Sequence, residues 1–372
     1  MSLALQVTIL DANSLQIKGI YPALSYDIFY DYVDNSTSTL VLNDNGTSQL
    51  GDYVAVKVQN TNTLLYFGML SDVQMTDDAN TNTLTAVDIR NVLNGDIIVT
   101  AKTGTSRESH LIKLIKNYIA SNSSTNLLSF GLSNSTNTAF TLTNSDTIDT
   151  YNFVDYITRC FTLQNIVMSI KSLAKGASSN GVPFYYPVID VHKVSNTITL
   201  KNNIAAFTGW TVDDSRLLRG YANELWIVDQ ASTDMENPTI LSKYWLQKDG
   251  TIVSSINSNV IQPTQVVISL FDKTATDNPT YAALADETLT GNEYSHQIQF
   301  PMPIQNNFFS ISQLEIGLLT KIYYVQTING KSNTTIYNSV LSAYEISSDS
   351  NEIILTFGNL RSSAKDVFSS SD

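Results

Sequence analysis

Cysteine is nearly absent from this chain of 372 residues: Cys160 stands alone. No internal disulfide can form, and no second thiol exists for a sulfur-based metal site, so Cys160 reads as a small buried hydrophobe. Histidine is almost as scarce, with only His110, His192 and His296. None has a second His or a Cys at zinc-ligand spacing, and no H-E-x-x-H occurs. Basic residues are few, 21 against 34 acidic, giving a net charge of −13. A nucleic-acid grip needs clustered Lys and Arg to displace counterions, so that class is disfavoured. No apolar run approaches the roughly 18 residues of a membrane span. The opening MSLALQVTILDANSLQ has neither a basic n-region nor a long apolar h-region, so a soluble product made in a cytoplasm is expected.

Chemistry-bearing motifs are missing too. There is no G-x-S-x-G elbow, no G-x-x-x-x-G-K-[ST] loop and no G-x-G-x-x-G turn. His110 opens an amphipathic segment, where a surface or capping role is expected. His192 follows an apolar strand beside Lys193 and reads as a solvated strand end. His296 alternates with Ile298 and Phe300 and reads as packing or a hydrogen bond. Asp77-Asp78 and Asp213-Asp214 do not continue into a spaced calcium loop and read as turns. No catalytic, cofactor-binding or metal-binding residue is nominated, no cofactor is expected, and the chain is expected not to be an enzyme.

What is present is a β-former's composition. Apolar residues make up 42 % and aromatics 10 %, enough for a sizeable core. Charged residues reach only 15 %, below the usual quarter or so, with Asn, Ser and Thr carrying the polar surface. Residues 52–58 alternate, with Val54, Val56 and Val58 on one face, and Leu64–Leu70 and Leu84–Ile89 follow between Asn- and Gly-rich turns. Such spacing indicates a sandwich or small barrel.

The period changes near residue 105. Leu111, Ile112, Leu114, Ile115, Tyr118 and Ile119 make one helical face, opened by a Thr105–Glu108 capping box and stopped by the Asn/Ser-rich 121–126. Phe153, Val154, Ile157 and Cys160, then Ile166, Val167, Ile170 and Leu173, predict one or two helices ended by Gly176. Strands resume from Val182, with a turn at Asp249-Gly250, one short helix over 279–290, and an Asn329-Gly330 hairpin turn. The polar tail from Ser362 is expected to fray. The fold class expected is α+β and β-rich, with two β-barrel-like domains and inserted helical or mixed domains. The divisions are 1–104, a first barrel-like domain; 105–180, a helical or mixed insertion; and 181–372, a second barrel-like region with a short helical insertion near 260–300.

Four stretches together resemble the tail-associated hub proteins of siphophages, the family that includes prophage endopeptidase-type tail proteins. They are Leu65-Tyr-Phe-Gly-Met-Leu-Ser-Asp-Val73 running into Leu84–Asn94; Asn223-Glu-Leu-Trp-Ile-Val228 leading to Lys243-Tyr-Trp-Leu-Gln-Lys-Asp-Gly250; His296-Gln-Ile-Gln-Phe300 with Ile316-Gly317; and Tyr337–Glu345 with Ile353–Arg361. Each is a packing pattern without chemistry, and their order over residues 50–361 carries the likeness. Length and composition resemble the short hub proteins of lactococcal siphophages.

The resemblance implies a bacteriophage virion component at the tail tip or baseplate, assembled in the host cytoplasm. It implies a homotrimer closing the distal end of the tail tube, against a hexameric distal tail protein and with receptor-binding proteins nearby. Opening on host binding would release the tape measure protein and then DNA, passing a neutral or acidic lumen without specific binding. Relatives that append a peptidoglycan hydrolase are longer, so no lysin is expected here. The competing reading is a carbohydrate-binding adhesin or receptor-binding protein, motivated by Trp210, Trp226, Trp245 and Tyr323-Tyr324. A third is a peptidoglycan-degrading enzyme in the same tail context.

Overall fold

The computed structural model describes residues 3–34, 36–75, 81–99, 105–121, 130–139, 149–202, 209–213, 222–234, 236–248, 251–275, 278–289, 296–306 and 310–358. Asp77-Asp78, Asp214, Asp249-Gly250, most of 121–126 and the tail from Ser362 lie outside them.

Seven strands come first: β1 (Leu5–Leu10), β2 (Ile17–Pro22), β3 (Ser25–Asp31), β4 (Thr37–Leu42), β5 (Tyr53–Val58), β6 (Leu64–Met75) and β7 (Asn82–Asp88). Next are β8 (Asp96–Val99), α1 (Arg107–Ser121), β9 (Gly131–Asn134), β10 (Asp149–Asn152), α2 (Phe153–Gln164), β11 (Ile166–Ala177) and β12 (Pro183–Lys193). The remainder comprises β13 (Thr197–Lys201), β14 (Thr211–Asp213), β15 (Glu224–Asp229), β16 (Ile240–Leu246), β17 (Ile252–Val253), β18 (Val266–Phe271), α3 (Tyr281–Leu289), β19 (Gln297–Pro303), β20 (Leu319–Ile328), β21 (Lys331–Ser347) and β22 (Glu352–Gly358). The β-rich α+β class is as the sequence suggests.

One large sheet runs β14-β19-β22-β21-β3-β4-β7-β6-β5-β1-β2, with β20 branching from β21 and β13 pairing β20. The junction is β21 against β3, where Ala343–Ser347 pair antiparallel with Asp27–Asp31. Thus the two strand-rich regions that the turn spacing suggests as separate barrels share one ladder. Among the described residues the path stays open, ending at β2 and β14, so no closed barrel forms. Local turn spacing shows strands but not their distant partners, which is why the joint is invisible in sequence.

β21 changes partners along its length. Lys331–Val340 pair with β20, and Leu341–Ile346 pair with β22 across a bulge at Ser342. The Asn329-Gly330 turn closing the β20–β21 hairpin has φ of 49° and 75°, the two left-handed positions of a type I′ turn. β5 departs from its expected half-buried alternation: Tyr53, Val54, Ala55 and Val56 are all buried. The strand is thus covered on both faces, and on one of them Tyr53 stacks on Phe67 at 5.9 Å and meets Phe130 edge-on at 5.7 Å.

The stretch 153–176, expected as one or two helices, is one helix followed by a strand. α2 stops at Gln164 because Asn165, at φ 55°, caps it in the left-handed conformation. Ile166–Ala177 is then a strand, hairpinned onto β12, and not a second helix ending at Gly176. β-branched Ile166, Val167 and Ile170 fit that pleated surface better than a helix. At α1, Ser106 and Ser109 exchange the capping bonds instead of Thr105 and Glu108: Ser109 N donates to Ser106 Oγ, and Ser106 N to Ser109 Oγ. Glu108 is fully buried and accepts from Thr136 Oγ1, Thr138 N and Thr138 Oγ1 at 2.6–2.7 Å. Burial pushes its pKa up, but these hydrogen bonds outweigh that and hold it below the ordinary glutamate value.

A single hydrophobic core joins β1–β7, α1, α2, β11, β12 and β19–β22. A separate small core lies in the four-stranded sheet β17-β16-β15-β18, where α3 packs Ala285 and Leu289 against Leu225, Ile227, Val267 and Phe271. Among the described residues no helix is long and apolar enough to cross a membrane.

Candidate functional site

A cleft of about 810 Å³ lies between the large sheet and β11, with the 312–318 loop on its rim. One polar cluster lines it, and a second reaches it through Glu315.

The first grows from the end of β7. Asp88 accepts from the backbone N of Arg90 and, at 2.7 Å, from its Nε. Arg90 then donates through Nη1 to the Tyr32 carbonyl and through Nη2 to the Asp31 carbonyl, at 2.6 and 2.7 Å. Its guanidinium also lies 4.1 Å from the Tyr32 ring centroid. Burial disfavours its charge, but Asp88 and the Tyr30 and Tyr32 hydroxyls outweigh that and hold the pKa above the ordinary arginine value. Tyr30, Tyr66 and Tyr344 surround the pair, their own pKa values raised first by burial and then by the Asp88 charge. Tyr344 donates to the Leu65 carbonyl, while Tyr66 Oη lies beside Ser38 without a well-formed hydrogen bond.

Tyr32 links this cluster to the middle segment. Its hydroxyl accepts from Met168 N at 2.6 Å, and its ring meets Phe161 at 4.8 Å. Arg90 therefore pins the end of β3, and Tyr32 pins α2 and β11 to it.

The second cluster centres on His192. Its Nε2 is 2.9 Å from Glu315 Oε1. Its Nδ1 is 3.2 Å from Asp190 Oδ2, in ion-pair range though poorly aligned for a hydrogen bond. Ser133 and Ser135 donate to Asp190 at 2.9 and 2.8 Å. Nucleophilic catalysis requires the serine on the imidazole, whereas here both serines sit on the carboxylate. The arrangement acts as a strut, tying β9 and β12 to the loop before β20. The expected solvated strand end is thus corrected: His192 is buried, because Glu315 reaches it from 123 residues away.

The other singled-out residues scatter. His110, expected at the surface, is fully buried with Nε2 3.1 Å from the Tyr156 hydroxyl. Burial first, then Arg107 and Lys113, push its pKa down to about 4. His296 is buried with Nε2 2.8 Å from Ser339 Oγ, as its strand position suggests. Cys160 is buried within α2. Trp210 stacks on Phe300 at 4.0 Å, Trp226 lies under Lys243 at 3.7 Å, and Tyr323 lies between two lysines. Among the described residues no three His, Cys, Asp or Glu side chains converge as a metal set. Sequence reasoning missed Arg90, Asp88, Asp190 and Glu315. The one available signal was Asp88-Ile-Arg90 directly after an apolar strand in a chain with six arginines.

No family model and no curated protein matches this sequence. Solved structures do. A 43 kDa tail protein of prophage MuSo2 from Shewanella oneidensis aligns over 95 % of this chain and 98 % of its own, at 10 % identity and a TM-score of 0.52. The chain shares the fold of phage tail proteins. A tail protein from Neisseria meningitidis MC58 aligns over 98 % and 99 %, at 10 % identity and a TM-score of 0.51. A chain in the activated p2 virion baseplate covers 96 % and 99 % at 14 % identity, with a TM-score of 0.47. The fold assignment rests on the first two.

Proposed function

We propose that this chain is the structural hub of a phage tail baseplate, a non-enzymatic homotrimer that closes the distal end of the tail tube. The observation that carries this reading is the end-to-end likeness to prophage tail proteins, which spans nearly the whole of both chains. The two polar clusters support it: each joins segments far apart in the chain, as a rigid ring subunit requires. The strand-rich regions 1–104 and 181–372, joined through the β3–β21 ladder, act as two units of the ring, with 105–180 inserted between them. Three copies then present six similar units to a hexameric distal tail protein.

On host binding the trimer opens and passes the tape measure protein, then DNA. A net charge of −13 suits a lumen that does not hold phosphates. Receptor-binding proteins occupy the surrounding baseplate, and the site of action is the virion tail tip. The test is the mass of the purified full chain in solution, alone and with the distal tail protein. Three copies, binding that partner as a ring, are expected; a stable monomer that ignores the partner overturns the reading. Zymography on peptidoglycan should give a blank gel, and a cleared band would return the chain to the enzymes.

A further inference from the structure

Two exposed faces are unaccounted for by the packing above, and they differ in character. The first is the face of the small lobe that α3 does not cover. β18 lies at the edge of its sheet, and its alternate residues Val266, Ile268 and Leu270 point outward, the last two 53 % and 65 % exposed. The ladder registers place Ile268 beside Trp226, and Leu270 beside Val228 and then Ile240. Lys243 is held over the Trp226 ring, and Trp226 Nε1 donates to Glu224 Oε1 at 2.6 Å. At one end of this face the turn joining β15 to β16 exposes Asp234 and Glu236, and Asp272 is exposed just past β18. Lys273 is the lysine there, and Asp229 already engages it at 2.8 Å. The face is therefore apolar, with Lys243 over Trp226 and an acidic end formed by Asp234, Glu236 and Asp272.

The second face is on β13, β20 and β21. The registers put Lys201 beside Tyr323, and Tyr323 beside Ile336. Lys201 and Lys321 hold their Nζ atoms 5.3 and 5.5 Å from the Tyr323 ring centroid. Among the described residues neither lysine has a carboxylate within 4 Å, and Ile336 is 52 % exposed. This face is apolar at its centre with a basic rim.

An exposed apolar edge strand left bare is an aggregation hazard, so a partner or cover is required. The geometry points to a second copy of this chain: the basic β20–β21 face of one copy docks on the β15–β18 face of the next, with its acidic end. This rests on the hub reading above. Like-on-like pairing is disfavoured, because hairpin against hairpin brings four lysines together. Joining two different patches gives a head-to-tail contact, which closes into a ring of three without a two-fold axis. Two lysines are also too few to hold a nucleic acid, since each neutralised phosphate adds only about one unit to the salt slope.

The test uses full-length chains in native mass spectrometry or sedimentation. Lys201→Glu/Lys321→Glu and Ile268→Asp/Leu270→Asp should each weaken self-association at least about tenfold, with unchanged circular dichroism. An equimolar mixture of the two should form heterodimers and stop there, because each supplies one intact patch. Adding Asp234→Lys/Glu236→Lys to the first variant should restore the trimer. Should the two aspartates unfold the lobe, Leu270→Gln alone reads the same loss. Variants that remain trimeric overturn this contact and leave the hub reading standing. A wild-type monomer that also ignores the distal tail protein overturns both. Monomeric variants that fail to pair in the mixture overturn the head-to-tail arrangement.

Discussion

In the large sheet four successive residues of β5, Tyr53 to Val56, are buried, so both faces of that strand are covered, and in β19 Phe300 stacks on Trp210 and on Phe357. In the β15–β18 lobe the short helix α3 covers one face, and on the other Ile268 and Leu270 of the edge strand stay exposed. Both regions use the same alternating strands. The large sheet therefore holds its core without outside help, while the lobe leaves one face for something else to cover.

Removing a buried charge partner should separate the two regions most sharply. Arg90→Ala leaves Asp88 buried without its cation and frees two carbonyls, a loss of about 3–5 kcal/mol. Urea unfolding should show it in the main transition, with the lobe's signal unmoved. Leu225→Ala, in the small core, should cost about 2–4 kcal/mol, but in an early transition of the lobe alone. Hydrogen exchange of β15 and β18 would report it; a loss spread over the whole chain would mean that the two cores unfold as one.

The main region should also carry a histidine-linked pH dependence that the lobe, which has no histidine among its described residues, lacks. His110 has a folded pKa near 4, below its ordinary value of 6.5. The unfolded chain binds the proton first, so this stability is full above about pH 6.5 and is lost as pH falls toward 4. The size is roughly 2–3 kcal/mol, and His110→Gln should flatten the curve in that window. Smallest is Lys273→Ala, which removes an exposed pair with Asp229 and should leave the melting temperature unchanged.

Much of the element pattern was legible locally. The Asn329-Gly330 turn, the Pro-started α3 and the Val-rich strands are set by residues within a few positions of one another. The α2–β11 boundary was not, because a periodic run of Ile and Val fits helix and strand alike until Asn165 adopts its left-handed cap. His110 and His192 were misplaced since Tyr156 and Glu315 reach them from far along the chain. The Arg90 cluster escaped notice for a related reason, as its acceptors are the carbonyls of Asp31 and Tyr32, which carry no sequence signature.

At 17 residues, β21 is a rod of roughly 55 Å. One end is the exposed hairpin tip and the other is zipped to the N-terminal strands. A tug at the tip is transmitted along this one strand and loads rows of parallel hydrogen bonds in shear, where many must yield together. The bulge at Ser342 interrupts the ladder along this rod, and the amide of Tyr32 is fastened to the Ser342 carbonyl. Movement of the outer hairpin is therefore felt first at the tyrosine that anchors the middle segment.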